Sequence, residues 1–381
     1  MGSLGTADSA IPTRVADSFS HSIQQGYIHL YASDNEPQPF AAVTDDPPQF
    51  PQFGHVVHQL RDKPAVPPQT PDLSKRRDKD VLEGPEYGKG EKVLEMEQGG
   101  RTYSLVHNLH ALFPEHMMAI PFFGNDDKDK DRSFRPQTSD LLPEDLFVAW
   151  RVVNAYAQAG RETVMFFNGG PLAGASQPHL HMQFCPFQYN SPPAPEALAR
   201  SLSPLSTTSA SSSSANEDFT PAPRLPLPWT QFYLPLPTSS TSSTAPLTPE
   251  ALFSLYTRLL RTSREYIASI AASEASAASA QQAENCRRLP PSGPKRESYN
   301  LFLTSQHLHL VPRTDRLVAI ERKGDDHELE DDLLRISLNG LVYLGYWHVP
   351  SREDWELVKG TGLAEVLQRA AYVNEQWRAP S

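Results

Sequence analysis

Apolar and polar residues change their period several times along this chain, and each change marks an element. Period-two alternation, or short runs rich in β-branched and aromatic residues, predicts strands over residues 53–60, 103–108, 116–122, 162–168, 179–184, 299–311 and 336–349, and residues 232–237 begin the second half. Residues 109–115 carry Pro114 and read as a turn. Helical spacing takes over at Pro143, which suits the first helical position, with Glu144 and Asp145 at the positive helix start. Leu146, Trp150, Val153 and Ala157 fall on one face, and Gly160 stops the helix near Ala159. A longer helix begins after Thr248, a capping residue followed by Pro249. Its stripe of Leu252, Leu255, Tyr256, Leu259, Leu260, Tyr266, Ile267 and Ile270 predicts a core-facing surface, and its Ala/Ser tail from 271 to 282 predicts fraying. Residues 351–377 read as helical apart from a break at 360–362, residues 1–20 as an unstructured start or a short helix, and residues 33–52, 64–92 and 125–135 as loops.

Composition divides this pattern. Residues 191–222 are a low-complexity stretch dominated by Ser, Pro and Ala, with too few apolar groups to offset chain entropy, and predict a disordered insertion. They separate an N-terminal half, 1–190, from a C-terminal half, 223–381. Across 381 residues there are 36 prolines, no apolar run of membrane-spanning length and no basic, apolar start of the secretory kind. The two cysteines, Cys185 and Cys286, exclude a disulfide framework and a four-cysteine zinc site and suit a reducing interior. A net charge of −11 argues against nonspecific nucleic-acid binding, and means that a polyanionic ligand needs local positive groups or a bound cation.

The chemistry concentrates in Gly169-Gly170-Pro171-Leu172-Ala173-Gly174-Ala175-Ser176-Gln177-Pro178-His179-Leu180-His181-Met182-Gln183-Phe184. Its first half is a glycine- and proline-rich loop whose successive N–H groups can cradle phosphate oxygens, with Ser176 and Gln177 adding side-chain donors. Its second half alternates, so that His179, His181 and Gln183 share one face of a strand. An imidazole beside a phosphate cradle points to nucleophilic attack on phosphorus. The competing reading is a structural or weakly metal-binding His-x-His, but zinc wants a third ligand and Gln183 is a poor one. A second pair, His307-Leu308-His309, lacks both the preceding glycine loop and the Gln, and reads as structural; no metal-ligating set is expected.

The run Asn168-Gly-Gly-Pro…Gly174-Ala-Ser-Gln…His179-x-His181-x-Gln183 resembles the histidine-triad nucleotidyltransferases, and within them the fungal diadenosine tetraphosphate phosphorylases, or ATP adenylyltransferases. Residues 231–237, 298–304, 309–313, 103–123 and 336–349 extend the resemblance over both halves. It implies an α+β fold, a histidine-triad-like antiparallel sheet with flanking helices in two halves. It also implies that His181 attacks the α-phosphorus, that the His179 carbonyl fixes its tautomer, and that Gln183 contacts the reacting phosphoryl group. Asn168, Gly174, Ala175, Ser176 and Gln177 would contact nucleotide, with Ser298, Tyr299 and Asn300 from the second half and Lys63 as a phosphate-contacting lysine. Hydrolases of the superfamily carry a third histidine where Gln183 stands, so transfer to phosphate rather than water is expected. The implied partners are dinucleoside polyphosphates, ATP, ADP and inorganic phosphate, with a divalent cation such as magnesium accompanying the substrate and neither nucleic acid nor membrane. A monomer in the cytoplasm, or in cytoplasm and nucleus, is the matching expectation. Leu180, Ser305 and Gln306 depart from the family, which is often basic there, and would remove positive charge near a polyphosphate. The alternatives are a hexose-1-phosphate uridylyltransferase-like enzyme, which shares His-x-His-x-Gln, and a degenerate nucleotide-binding protein.

Overall fold

Alternating side chains give each long strand two faces, and eight such strands pair into one antiparallel sheet with a core on each side. The computed structural model describes residues 6–31, 33–38, 53–59, 72–75, 82, 92–122, 134–188, 191–202, 220–237, 247–281, 298–322, 333–375 and 377. Among these, residues 6–202 hold α1 (Thr6–Ser9), α2 (Ile11–Gln24), β1 (His29–Leu30), β2 (Ser33–Gln38), β3 (Phe53–Gln59), β4 (Lys92–Gln98), β5 (Arg101–His107), β6 (His110–Ala111), β7 (Met117–Phe122), α3 (Pro143–Gln158), β8 (Thr163–Gly169), β9 (Met182–Pro186) and α4 (Ala194–Leu202). The remainder holds β10 (Phe232–Pro235), α5 (Pro249–Gln281), β11 (Ser298–Leu303), β12 (His307–Arg313), β13 (Leu317–Glu321), β14 (Leu333–Ser337), α6 (Gly340–Tyr343), β15 (His348–Val349), α7 (Arg352–Thr361) and α8 (Leu363–Gln368).

The main sheet runs β10-β12-β11-β8-β9-β7-β5-β4. The two halves of the chain therefore meet inside it, where β8 pairs antiparallel with β11 and Asn168 stands opposite Asn300. One face carries Met165, Phe167, Met182, Phe184, Leu301, Leu308 and Leu310 into a cluster with Val152 and Val153 of α3 and Leu252, Tyr256 and Leu259 of α5. The other face carries Phe166, Cys185, Phe302 and Val311 against Leu341, Val342 and Tyr343 of α6, Trp355 of α7 and Leu198 of α4. The expected antiparallel α+β architecture is thus observed, with helices on one face and a layer of C-terminal elements on the other.

Four expectations change. Residues 191–202 are not an inert insertion: α4 buries Leu198 and Ala199, and Ala222 also lies in the core. The Ser/Pro/Ala bias hid the buried face of this helix; residues 203–219 lie outside the described residues. Residues 336–349 do not form one strand, because Asn339 caps α6 by accepting the Leu341 N–H at 3.0 Å. Residues 33–38 form a strand against β3 rather than a loop. Arg135, assigned to a solvent loop, makes a buried ion pair with Asp145 at 2.7 Å.

Candidate active site

Strand β8 brings Asn168 and Gly169 to the edge of the C-terminal layer, and the chain then turns through residues 170–175. Gly170 and Gly174 hold φ of +86° and +85°, a backbone conformation that glycine adopts without a Cβ clash. At Gly174 a Cβ would also lie 2.4 Å from the Leu338 carbonyl oxygen, so this glycine lets the loop touch the segment before α6.

The motif strand begins later than its alternation suggests. Strand β9 starts at Met182, where pairing with β7 ends at Ala119. Upstream, residues 135–137 replace β7 as the partner: the Leu180 N–H donates to the Arg135 carbonyl at 2.7 Å, and His179 bridges Pro136. Gln137 completes this splint. Its Oε1 accepts the His181 N–H at 2.8 Å, and its Nε2 donates to the carbonyls of Asn168 at 3.0 Å and His181 at 3.3 Å. The splint is itself anchored at the start of α3, where the Asp145 carboxylate holds Arg135 and accepts from the Tyr103 hydroxyl at 2.7 Å.

His181 is buried, and its Nδ1 lies 2.8 Å from the His179 carbonyl oxygen. A carbonyl only accepts, so Nδ1 carries the proton and the neutral ring keeps its lone pair on Nε2. Gln183 follows on the same face, half-buried, with Oε1 3.2 Å from His116 Nε2. The amide oxygen accepts from His116, which turns the Gln183 NH2 outward as a donor. The Leu112 N–H approaches the other ring nitrogen of His116 at 3.4 Å, consistent with Nε2 as the protonated one. Cys185, next on this face, is fully buried, and burial pushes its thiol up, so it is no thiolate nucleophile.

The other sequence-predicted residues divide into those that build the loop and those that can reach a ligand. Asn168 Oδ1 accepts from Asn300 Nδ2 at 2.8 Å and from the Gly340 N–H at 2.9 Å. Asn300 Nδ2 also donates to the Ala173 carbonyl, and Asn300 Oδ1 accepts from Arg313 Nη1 at 2.6 Å. The Ser298 hydroxyl accepts the Leu172 N–H at 3.0 Å. Asn168, Asn300 and Ser298 therefore tie the loop to the second half. Tyr299 turns its ring to the opposite face, against Tyr256 and Phe167, so it offers a ligand only its backbone. Ala175 is buried, Ser176 is exposed and Gln177 is half-buried, so of these three the last two are within reach of solvent. His179 is buried against Phe134, its rings 5.5 Å apart. Lys63 lies outside the described residues.

The departures from the family pattern fall elsewhere than expected. Leu180 is wholly buried on the helix-covered face, so its neutrality removes no charge from the loop. The Ser305 hydroxyl donates to Glu162 at 3.0 Å, beside the Glu162–Arg200 pair, where a lysine would find an acid waiting. Sequence reasoning missed Gln137, His116, Arg313 and Arg135. Each acts on a residue distant in the chain, and none sits in a recognisable spacing.

Comparison with known proteins gives a consistent likeness. A family model described as the ATP adenylyltransferase C-terminal domain matches residues 225–373, and one described as the Ap4A phosphorylase N-terminal domain matches residues 130–201. Protein APA1 of Saccharomyces cerevisiae is 29% identical over 103 residues, which make up 25% of this chain and 29% of that protein. The chain aligns with the curated relative over less than a third of that relative's length. The crystal structure of yeast Ap4A phosphorylase Apa2 in complex with AMP is similar at a TM-score of 0.60 and 19% identity, covering 96% of this chain and 97% of that one. The same yeast enzyme in complex with Ap4A matches at a TM-score of 0.61 and 18% identity, covering 95% and 97%.

Proposed function

This chain belongs to the family of Ap4A phosphorylases and ATP adenylyltransferases, and we propose that it splits diadenosine tetraphosphate with inorganic phosphate into ATP and ADP, and catalyses the reverse transfer, through a nucleotide carried on His181. The observation that carries this reading is the 2.8 Å contact between His181 Nδ1 and the His179 carbonyl. It aims an unprotonated Nε2 outward beside the Gln183 amide. Attack by that nitrogen on the α-phosphorus forms a P–N bond and breaks the P–O bond to the remaining polyphosphate, which leaves as ATP. A phosphate oxygen then attacks the same phosphorus, the P–N bond breaks, and ADP departs. The Gln183 NH2 and the loop N–H groups would hold the equatorial oxygens through both steps.

Phosphate rather than water follows from the same residues. Water needs a base to take its proton during attack, and the Gln183 amide is none. His116, the ionisable group beside Gln183, uses its Nε2 proton to hold that amide. Phosphate arrives as an anion. The described positive groups near the loop, Arg313 and Arg135, are committed to Asn300 and Asp145. A divalent cation such as magnesium, carried in with the polyphosphate, would supply the missing charge.

Chromatography of products over a panel of dinucleoside polyphosphates and sugar nucleotides tests the reading. Turnover of diadenosine tetraphosphate should rise with phosphate, give ADP and ATP in equal amounts, and return on adding magnesium to a chelated reaction. Substrate labelled at the α-phosphate, without acceptor, should leave an acid-labile adduct on His181. AMP and ATP at full rate in phosphate-free buffer would make the enzyme a hydrolase. An adduct mapped to His179 would move the nucleophile.

A further inference from the structure

The second His-x-His pair is not alone. His307 and His309 point from β12 onto the face of the sheet that carries Phe302 and Phe166, and α4 lays Glu196 against both. Glu196 Oε2 lies 2.9 Å from His309 Nε2 and 3.2 Å from His307 Nδ1. All three side chains are 1–2% exposed, and one ligand atom from each falls within 4.8 Å of the other two. We propose that Glu196, His307 and His309 bind a divalent ion of the zinc class, which staples α4 to the main sheet.

The donor set suits that ion. Two imidazoles, borderline ligands, and a carboxylate, a hard one, are a mixed set that zinc takes, and they leave a fourth tetrahedral position for water. Ligands about 2.0 Å from a tetrahedral centre stand about 3.3 Å from each other. The measured separations to Glu196 are close to that edge. The carboxylate is also oriented from behind. Arg200 Nε donates to Glu196 Oε1 at 2.7 Å, turning Oε2 to the histidines, and Arg200 is in turn held by Glu162 at 2.7 Å. Such outer partners are what a metal-ligating carboxylate uses to keep its aim. Arg200 already pairs with this buried carboxylate, and an ion between it and the two rings would add to that compensation.

Gln231 sets the tautomer of His309. The Trp229 indole N–H donates to Gln231 Oε1 at 3.1 Å, which leaves the amide NH2 3.4 Å from His309 Nδ1 and places the His309 proton on Nε2, facing Glu196. A metal on His309 Nε2 would move that proton to Nδ1, on the side of Gln231. Without loading, the same atoms make a hydrogen-bonded triad, which is the competing account.

The site lies apart from the proposed chemistry. His309, Phe302, Phe166 and Gln183 stand opposite one another across β12, β11, β8 and β9. Three strand spacings separate the first from the last, about 14 Å. Its role is therefore to hold structure rather than to touch phosphorus.

Full-length protein, stripped with chelator and titrated with Zn2+ alone, should take up one equivalent, and its thermal midpoint should rise on loading. Co2+ in its place should give the intense visible bands of a four-coordinate site. Glu196→Gln and His309→Gln, checked for native far-ultraviolet circular dichroism, should lose most of the bound zinc. For variants that do not fold, the wild-type titration decides on its own. No saturable Zn2+ uptake and an unchanged midpoint would overturn the proposal in favour of the triad, as would a folded His309→Gln chain that keeps its full equivalent.

Discussion

Gln137 grips His181 by the backbone at both ends, accepting from its N–H at 2.8 Å and donating to its carbonyl at 3.3 Å, although the two residues are 44 apart in the chain. The imidazole is aimed by its own peptide units, so this side chain aims it too. Gln137→Ala should lower kcat about 10- to 100-fold with KM changed far less, since small misplacement of a nucleophile is felt mainly in the transition state. Gln137→Glu keeps the acceptor and loses the donor, and should fall between the two. Equal losses in kcat and in folding stability, with no kinetic split, would assign Gln137 a structural role alone.

The contact between Gly174 and Leu338 predicts a contrast between two glycines. An alanine at 174 meets the Leu338 carbonyl oxygen at 2.4 Å and must hold φ near +85°. Gly174→Ala should cost about 2–3 kcal/mol or more in urea unfolding and raise KM for the nucleotide. Gly360, inside α7, has nothing within 4 Å of a Cβ and no positive φ. Gly360→Ala should stabilise by roughly 0.5–1 kcal/mol.

His107 makes stability depend on pH. It is buried between β5 and α2, with Nε2 2.7 Å from the Ser18 hydroxyl and its ring 5.3 Å from that of Phe19. Burial lowers its value to about 4, and its Nδ1 meets no described acceptor that could take a second proton's bond. The unfolded chain, with an ordinary imidazole near 6.5, then binds the proton first as pH falls. The contribution is whole above about 6.5, is lost progressively down to about 4, and reaches about 3 kcal/mol at that limit. His107→Gln should flatten the difference in unfolding free energy across this window; parallel curves for the two proteins would refute it.

Leu198 tests the corrected reading of α4. In a disordered segment its truncation would be silent. Packed at 4% exposure in the cluster that holds Phe187 and Val311, Leu198→Ala should cost about 2–4 kcal/mol, read from chemical denaturation.

These cases also mark what a linear reading can reach. The strands that frame the site were legible because Met165, Phe167, Leu301 and Leu303 repeat every second residue and need no knowledge of their partners. That His181 and Gln183 share a face was legible because they alternate within one short run. Glu196 was not, because its surroundings are Pro, Ala and Ser, and its meaning comes from two histidines more than a hundred residues later. Gln137 and Arg313 were invisible for the same reason: each bonds a backbone group or an amide whose identity carries no signal of its own. Tyr299 shows the converse: within a segment matched to the family its ring alternates onto Tyr256 and Phe167, which the motif alone does not disclose.

The antiparallel seam between β8 and β11 has a bearing on how such a chain can change. Family likeness divides the molecule into an N-terminal and a C-terminal piece, but each piece alone would end in a raw strand edge, apolar on both sides. Neither piece could be lent to another protein, or taken out of this one, without carrying a template for indiscriminate strand pairing. The unit on which inheritance acts is therefore the continuous eight-stranded sheet, and a substitution on either side of the seam is judged by its fit to a neighbour encoded more than a hundred codons away.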